Sequence, residues 1–221
     1  MIKNSYPGKF IVLEGPDGSG QSTQVDLLSK YLKKTLKGDK RKHKVRYTGV
    51  FVTKEPSTGF IGGFIREALQ ERWKRGSIFG PMLIQALFVA DRAHHLEHEV
   101  IPALAKGMVV ICDRYALSTI AYGTAEHPNL RACLIAMNDT FLEPDLTFIL
   151  DVPGKVCVKR IMKARGSVEL YEKAQMLDKV LFHFKKVAKR FRWAFVIDGE
   201  MRKREVFEEI RVRVDKNLGL V

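Results

Sequence analysis

Cysteine is scarce in this sequence, and the few that occur are far apart. The 221 residues include three cysteines, Cys112, Cys133 and Cys157, and no two of them form a C-x-x-C pair. A disulfide framework and a structural zinc site both depend on suitably spaced cysteines. The sequence therefore suggests neither kind of site, and we interpret the three residues as buried thiols.

Long apolar runs are missing as well. No stretch approaches the roughly 20 apolar residues that a membrane span needs. The short apolar run that follows residues 1–6 already belongs to a predicted strand, so a cleavable signal is not indicated. We expect a soluble, cytoplasmic protein with no membrane partner. Its length and its hydrophobic content of 46% favour one core, and hence a single domain over residues 1–221.

Acidic residues are also in short supply. There are 25 of them against 38 lysines and arginines, which gives a net charge of +13. Such an excess predicts anionic partners, which include nucleic acids, membrane surfaces and phosphorylated small molecules. Much of the charge lies in two stretches, Lys33–Arg46 and Lys155–Arg192. We interpret the first as a solvated surface loop and do not expect nucleic acid as a partner, although a nucleic-acid patch stays open as the alternative.

Glycine, by contrast, is concentrated where it has a clear use. The segment FIVLEGPDGSGQST at residues 10–23 joins a short apolar run to a glycine-rich turn and then to an amphipathic segment. The apolar run suits a buried strand, and the glycines let successive N–H groups point at one anion. The helix predicted from Ser22 to Leu36 adds the positive end of its dipole at the same place. This layout predicts a nucleotide-binding loop, and a glycine-rich turn without a ligand is the alternative.

One residue departs from the motif that such loops follow. The pattern G-x-x-x-x-G-K-[ST] expects lysine where this sequence has Gln21, whereas Ser22 is in place for a magnesium ion. Glutamine still donates a hydrogen bond but brings no charge. We expect the substitution to weaken phosphate binding without abolishing it, and Gln21→Lys to raise or preserve activity.

The rest of the chain alternates apolar runs with helical patterns. Four further strands are predicted at 50–53, 108–112, 146–150 and 194–197, and helices at about 61–69 and 81–105. Strands that are apolar throughout indicate a parallel sheet covered on both faces, in which ligands bind beyond the carboxyl ends of the strands. Polar residues follow each strand at that edge: Glu14, Lys54, Glu55, Asp113, Arg114, Asp151 and Asp198.

Six segments resemble the thymidylate kinase family in their order and spacing. They are FIVLEGPDGSGQSTQ, TKEPSTGFIGGFIREAL, LFVADRAHH, VVICDRYALSTIAYG, LTFILDVP and KRIMKARGSVELYEK. The resemblance implies an α/β P-loop kinase fold with a five-stranded parallel sheet, helices on both faces, a mobile lid at approximately 160–171, and commonly a homodimer. It also implies ATP-dependent phosphorylation of dTMP to dTDP for dTTP synthesis, with Mg²⁺ as cofactor.

Carried over position by position, the resemblance assigns residues to ATP and to the metal. The loop residues expected to bind ATP are Gly15, Asp17, Gly18, Ser19, Gly20, Gln21, Ser22 and Thr23. Ser22 and Asp113 are expected to hold Mg²⁺, directly or through water. Asp17 is expected to accept the 3′-hydroxyl of the acceptor sugar, whereas its plain interpretation is a turn aspartate.

Further positions are expected to bind the acceptor nucleotide. Phe88 resembles the ring that stacks on thymine, and Arg92, one helical turn on, resembles the residue that reaches the base edge or the phosphate. Arg114 resembles the arginine that holds the acceptor phosphate with two hydrogen bonds. Ser118 and Thr119 match positions near the base edge, and Tyr122 an aromatic ring beneath the deoxyribose. The set of acceptor-binding residues is completed by Glu55, Pro56 and Arg66.

The cations that stabilise the transition state are expected from the lid. Some thymidylate kinases place an arginine in the glycine loop after the acidic residue, but this sequence has Gly18 there. The resemblance then points to Arg160, Lys163 and Arg165. With Asp17 and Arg114, these three complete the expected catalytic set.

Three other functions stay open at this point. One is a kinase of the same fold that acts on another nucleotide or on a deoxynucleoside. Another is a nucleotide-binding protein that has lost catalysis because of Gln21. The third is a nucleic-acid-binding module, which the net charge of +13 suggests but which leaves the DRY segment unexplained.

Overall fold

The computed structural model describes residues 1–37, 47–70, 80–165 and 170–220. Within these ranges five parallel strands form one sheet in the order β2-β3-β1-β4-β5. The strands are β1 (Lys9–Glu14), β2 (Val50–Lys54), β3 (Val109–Asp113), β4 (Leu146–Asp151) and β5 (Ala194–Asp198). The predicted five-stranded parallel sheet is confirmed, with each strand within about two residues of its expected position.

Helices cover both faces of this sheet, as predicted. They are α1 (Gln21–Lys37), α2 (Phe60–Gln70), α3 (Gly80–His95), α4 (Ile101–Ala105), α5 (Ala116–Glu126), α6 (Arg131–Asn138), α7 (Gly154–Arg165), α8 (Leu170–Ala188) and α9 (Lys203–Leu218). None of the helices in the described ranges combines the length and the apolar composition that crossing a bilayer requires.

The core divides at the sheet because side chains alternate along each strand. Ile11 and Leu13 of β1 face a cluster that includes α1, α7 and α9, whereas Phe10 and Val12 face the segment from residue 96 to α5. All four side chains are fully buried. The central strand is therefore packed on both faces, and it holds the glycine loop at its carboxyl end.

The helix predicted at about 81–105 is interrupted by a wider turn. A π-helical segment, Leu96–Val100, lies between α3 and α4, and the N–H of Ile101 bonds to the carbonyl oxygen of Leu96, five residues back. Pro102 follows at the start of α4. Proline has no N–H to donate, and its ring crowds the carbonyl four residues earlier, which accounts for the widening.

Two sequence predictions fall partly outside the described residues. The basic stretch Lys33–Arg46 is described only as far as Lys37, so its interpretation as a solvated loop stays a prediction. Of the lid expected at approximately 160–171, residues 166–169 and the side chain of Arg165 lie outside the described part of the chain.

Candidate active site

The glycine loop connects β1 to α1 at the carboxyl edge of the sheet. Gly15, Gly18 and Gly20 all have positive φ, and the N–H of Ser19 bonds to the carbonyl oxygen of Pro16. The loop thus makes the sharp turns that the sequence predicts, and α1 begins at Gln21. Its N–H groups and the helix dipole favour an anion at this point.

Gly18 lies where the loop meets α7. A β-carbon at this position would be 2.6 Å from the carbonyl oxygen of Cys157 and 2.9 Å from the side chain of Ile161. The φ of +83° also disfavours a side chain. An arginine in the loop after Asp17 would therefore displace α7, which agrees with the expectation that cations come from elsewhere.

A cavity of about 540 Å³ lies against the loop. It is lined by the loop residues Asp17, Gly18, Gly20, Gln21, Ser22 and Thr23, by the strand-end residues Lys54, Glu55, Asp113 and Arg114, and by Arg160, Ile161 and Lys173. Four of these side chains are cationic, namely Lys54, Arg114, Arg160 and Lys173. We therefore take this space, called the loop cavity below, as a candidate site for a polyphosphate.

Ser22 and Asp113 meet at the wall of the loop cavity. The Ser22 hydroxyl donates to Oδ2 of Asp113 over 2.6 Å. Mg²⁺ prefers oxygen ligands and is usually held by one or two carboxylates together with substrate phosphates and water. One hydroxyl and one carboxylate on the wall of this cavity fit that pattern.

Gln21 is 5% exposed and lies at the edge of the same cavity. Its Oε1 accepts a hydrogen bond of 3.0 Å from Nη2 of Arg114. Its Nε2 has no hydrogen-bond partner among the described residues. A buried amide with an unused donor is costly unless something accepts from it.

Four hydrogen-bond acceptors, from the loop, the start of α1 and α5, hold the guanidinium of Arg114. Its guanidinium donates to the carbonyl oxygen of Gly15, the Oγ of Ser118, the Oδ1 of Asp17 and the Oε1 of Gln21. Burial by itself lowers the pKa of Arg114, but Tyr122 and the nearby carboxylates raise it more, so the group stays charged. Its φ of +70° is unusual for a residue other than glycine and marks a position under strain.

A second cavity, of about 340 Å³, lies beside the first and is called the acceptor cavity below. Its lining includes the side chains that the sequence analysis assigned to the acceptor nucleotide: Glu55, Pro56, Phe88, Arg92, Arg114, Ser118, Thr119 and Tyr122. Three residues, Asp17, Glu55 and Arg114, line both cavities. The two spaces thus meet at one carboxylate–guanidinium pair, whose Oδ1 and Nη2 are 2.7 Å apart.

Tyr122 ties the acceptor cavity to the glycine loop. Its hydroxyl accepts a hydrogen bond of 2.8 Å from the backbone N–H of Asp17, and its ring lies 5.4 Å from the guanidinium carbon of Arg114. Burial raises the pKa of Tyr122 above its ordinary value, so the phenol stays protonated. The ring is fixed edge-on against Phe184.

Arg92 is paired within the protein. Its Nη2 donates to Oε2 of Glu55 over 2.5 Å and to Thr119 over 3.1 Å, and its Nη1 donates to Asn138. The side chain is 1% exposed, although it borders the acceptor cavity. Arg92 therefore brings its charge to the cavity wall together with that of Glu55.

Glu14, the last residue of β1, is also fully buried. Its carboxylate accepts hydrogen bonds from the backbone N–H groups of Tyr115 and Ser118 and from the Ser118 hydroxyl. Burial raises its pKa to about 7, and Ser118 and Arg114 only partly oppose this rise. Glu14 was expected at the edge of the sheet with the loop, but its side chain instead supports the first turn of α5.

A third cavity, of about 270 Å³, borders the other side of the loop. Arg160 lines both this space and the loop cavity. Its guanidinium donates to the carbonyl oxygens of Ser19 and Gly199, each over 3.0 Å. Arg160 thereby connects α7 to the loop and to the segment after β5.

Comparison with known proteins agrees with this geometry. A family model described as thymidylate kinase matches residues 13–210. The chain is 36% identical over 213 residues to a probable thymidylate kinase of Pyrococcus abyssi, which covers 96% of this chain and 98% of that protein. A thymidylate kinase of Caldicellulosiruptor saccharolyticus is 36% identical over 94% of this chain and 96% of its own length. One from Cutibacterium acnes is 36% identical with the same two coverages.

The chain belongs to the thymidylate kinase family. The family assignment made from sequence segments is thereby confirmed, together with the enzyme class, a nucleoside monophosphate kinase. Membership of this family does not favour the alternatives, which were a binding protein without catalysis and a kinase for another acceptor.

Most of the residues predicted from the thymidylate kinase motifs lie at the two cavities. Arg66 is engaged differently, because it donates to the carbonyl oxygens of Pro56 and Ser57 and so supports the turn that carries Pro56. Lys163 is exposed on α7, and the side chain of Arg165 lies outside the described residues. Their assigned roles stay predictions.

Sequence reasoning assigned no individual role to three residues that lie in or under the site, although it expected two of them, Glu14 and Lys54, at this edge of the sheet. Lys54 and Lys173 line the loop cavity, and Glu14 supports Ser118 from below. Lys54 directly precedes the assigned Glu55, and Glu14 directly precedes the glycine loop, so adjacency was an available signal for both. Lys173 carried no such signal, because it reaches the cavity through the packing of α8.

Proposed function

We propose that this protein transfers the γ-phosphoryl group of ATP to dTMP, which yields ADP and dTDP. Membership of the thymidylate kinase family supports this activity. The observation that carries it is the pair of adjacent cavities, one against the glycine loop and one lined by assigned acceptor residues, that share Asp17 and Arg114. Phosphoryl transfer requires two anions to be held in line and their charge to be neutralised. The two cavities can hold the anions, and the cationic side chains that line them can neutralise the charge.

The donor occupies the loop cavity in this proposal. The phosphates of ATP lie against the N–H groups of residues 15–23, and the base extends past Arg160 toward the 270 Å³ cavity. Ser22 and Asp113 would hold Mg²⁺, directly or through water, and the ion would supply neutralisation of phosphate charge. The loop and the cationic side chains around it fix the orientation of the phosphates.

The acceptor occupies the 340 Å³ cavity. Phe88 stacks on thymine, while Ser118 and Thr119 lie near the base edge. Tyr122 lies beneath the deoxyribose and positions Asp17, which accepts the 3′-hydroxyl. Arg114 binds the acceptor phosphate at the junction of the two cavities, where a doubly hydrogen-bonding guanidinium is best used.

The remaining positive charge comes from α7 and the segment that follows it. Arg160 already lines the loop cavity, and Lys163, one turn further on, lies on an exposed part of the same helix. With Arg165, these residues belong to the lid at about 160–171, which closes over the phosphates and excludes water.

We further propose that the whole chain acts as one domain, in the cytoplasm, as a homodimer. An apolar face at the start of α2 supports the dimer: Phe60 is 88% exposed, and Phe64, one helical turn further on, is 44% exposed. Large exposed apolar side chains that lie side by side mark interaction surfaces.

The activity is tested directly. Purified protein incubated with ATP, Mg²⁺ and dTMP should form equal amounts of ADP and dTDP, and omission of Mg²⁺ should stop the reaction. Arg114→Ala serves as the inactive control. Absence of turnover with dTMP and with every other common nucleoside monophosphate would leave the protein without the proposed function.

A further inference from the structure

Gln21 makes a hydrogen bond that a residue serving only to bind the phosphates of the donor nucleotide does not need. Its Oε1 accepts from Nη2 of Arg114 over 3.0 Å, and the same Nη2 lies 2.7 Å from Oδ1 of Asp17. One guanidinium nitrogen is therefore shared by the acid at the tip of the loop and the amide at the start of α1. A lysine at position 21 has no acceptor for this hydrogen bond, so the positive charge that Gln21→Lys brings to the loop is offset by the loss of this contact with Arg114.

The other half of the Gln21 amide is unused. Nε2 is buried, has no partner among the described residues, and belongs to a side chain on the wall of the loop cavity. An amide offers an acceptor and a donor at once. Gln21 thus has its acceptor committed to Arg114 and its donor left for a ligand of the loop cavity.

We infer that Gln21 is a positioning residue for Arg114, and that it links the binding of the acceptor phosphate to the glycine loop. In this arrangement the positive charge at the loop is that of Arg114, which Gln21 orients with one end of its amide while the other end donates to a donor phosphate. The inference rests on the proposed function, because the ligand that Arg114 binds is taken to be dTMP.

The geometry of Arg114 explains why one more acceptor matters. Its backbone is held at φ +70° by the hydrogen bond from its N–H to the carbonyl oxygen of Leu13. Its side chain is 21% exposed and can turn toward the solvent. Asp17 and Gln21 both accept from Nη2, and Gly15 and Ser118 accept from Nη1. Together these acceptors confine the plane of the guanidinium to the junction of the cavities, so less order has to be gained when a phosphate binds.

The test measures dTMP affinity in the absence of any donor nucleotide, by titration calorimetry. Gln21→Met keeps the length of the side chain and removes both hydrogen-bonding groups. We expect it to weaken dTMP binding by roughly 2- to 12-fold, the range for one hydrogen bond. Gln21→Asn, which keeps the amide but shortens its reach, should weaken binding similarly and provides a second variant should the first fold poorly.

Two controls separate positioning from general damage. Gln24→Met makes the same chemical change three residues along α1, where the amide donates to the carbonyl oxygen of Lys203, so dTMP affinity should stay at the wild-type value. In an Arg114→Lys background, Gln21→Met should cause no further loss, because the guanidinium that Gln21 orients is gone. Thermal unfolding of each variant checks the fold.

The outcomes are distinct. Equal dTMP affinity of the wild type and Gln21→Met, with a loss confined to a non-hydrolysable ATP analogue, would mean that Gln21 serves only the donor and would overturn the inference. Losses that add in the Arg114→Lys background would overturn it too. A wild-type protein that binds no dTMP would contradict the proposed function itself, and the inference with it.

Discussion

The carboxyl group of Glu14 is fully buried, and three hydrogen bonds together with Arg114 and Arg92 favour its charged form. Its pKa of about 7 lies above the ordinary 4.5, because burial penalises the charged form more than Ser118, Arg114 and Arg92 favour it. The folded state thus binds this proton more tightly than the unfolded state does. The stabilising contribution is complete below pH 4.5 and is lost as the pH rises through about 7.

Glu14→Gln should remove that pH dependence. Glutamine keeps an acceptor for the two N–H groups and cannot ionise. We expect the free energy of unfolding of the wild type, relative to the variant, to fall by roughly 3 kcal/mol between acidic pH and about pH 8. Urea unfolding of both proteins at several pH values measures this difference, and parallel curves would show that folding does not raise the pKa of Glu14.

Tyr122 is the residue we expect to distinguish deoxyribose from ribose. A ring beneath the sugar crowds a 2′-hydroxyl, so Tyr122→Ala should raise kcat/KM for the ribose analogue of dTMP relative to dTMP itself by about 10-fold. Tyr122→Phe is the matched control, because it keeps the ring and loses only the hydrogen bond from Asp17. Unchanged discrimination in Tyr122→Ala would exclude this role.

Single residues were predictable from the sequence where a motif fixed them. Phe88, Arg114 and Tyr122 lie at the acceptor cavity because their segments match family motifs. The pairing of Arg92 with Glu55 was not predictable, because the two residues are brought together by the turn before α2 and by the packing of α3. The burial of Glu14 was not predicted for a similar reason. Glu14 is the last residue of β1, and only the packing of α5 against the end of this strand encloses its side chain.

At the scale of elements, α7 joins the glycine loop to the expected lid. Arg160 is anchored on two carbonyl oxygens, whereas Lys163 on the same helix is exposed. We therefore expect Lys163→Ala to act on the transition state, which would lower kcat by about 100-fold while the KM for ATP changes little.

Lys159→Ala is the matched control for this prediction. Lys159 is exposed on α7 as well, one turn before Lys163. It should leave kcat near the wild-type value. Equal effects of the two substitutions on kcat/KM would indicate that only the overall positive charge near the site matters. Lys163 would then have no specific role in stabilising the transition state.

The strands were the most predictable elements. All five are short, mostly apolar runs that end in a charged residue, and a parallel sheet covered on both faces favours that composition. Burial is complete only toward the centre, because the edge strands β2 and β5 leave Val52 and Val196 exposed. The long helix before β3 was predicted as one piece, yet it contains the π-helical segment Leu96–Val100. The periodicity of apolar residues shows which face of a helix is buried. A proline that widens a single turn hardly changes this periodicity, so the π-helical segment could not be predicted from it.

At the scale of the whole molecule, the exposed apolar face at the start of α2 predicts the oligomeric state. Phe60→Glu should convert the proposed homodimer into a monomer, because a charge inside an apolar interface is left desolvated and unpaired. Light scattering coupled to size-exclusion chromatography measures the mass directly.

Phe182→Glu controls for the change itself. Phe182 is 59% exposed on α8, on a different part of the molecule. This variant should remain a dimer. A wild-type protein that is monomeric at all concentrations would contradict the proposed assembly.

The sheet order has a consequence for the dynamics of the loop. β1 pairs with β3 on one side and β4 on the other, and its residues 10–14 are fully buried. Amide hydrogens of this strand should exchange with solvent only when the whole domain unfolds, so their exchange free energy should equal the global free energy of unfolding. α7 buries Cys157 and Val158 in the core but exposes Lys159 and Lys163. Amides of this partly exposed helix should exchange through smaller openings than those of β1. The glycine loop therefore extends from the slowly exchanging central strand on one side and touches, through Gly18 and Arg160, a helix whose amides should exchange faster.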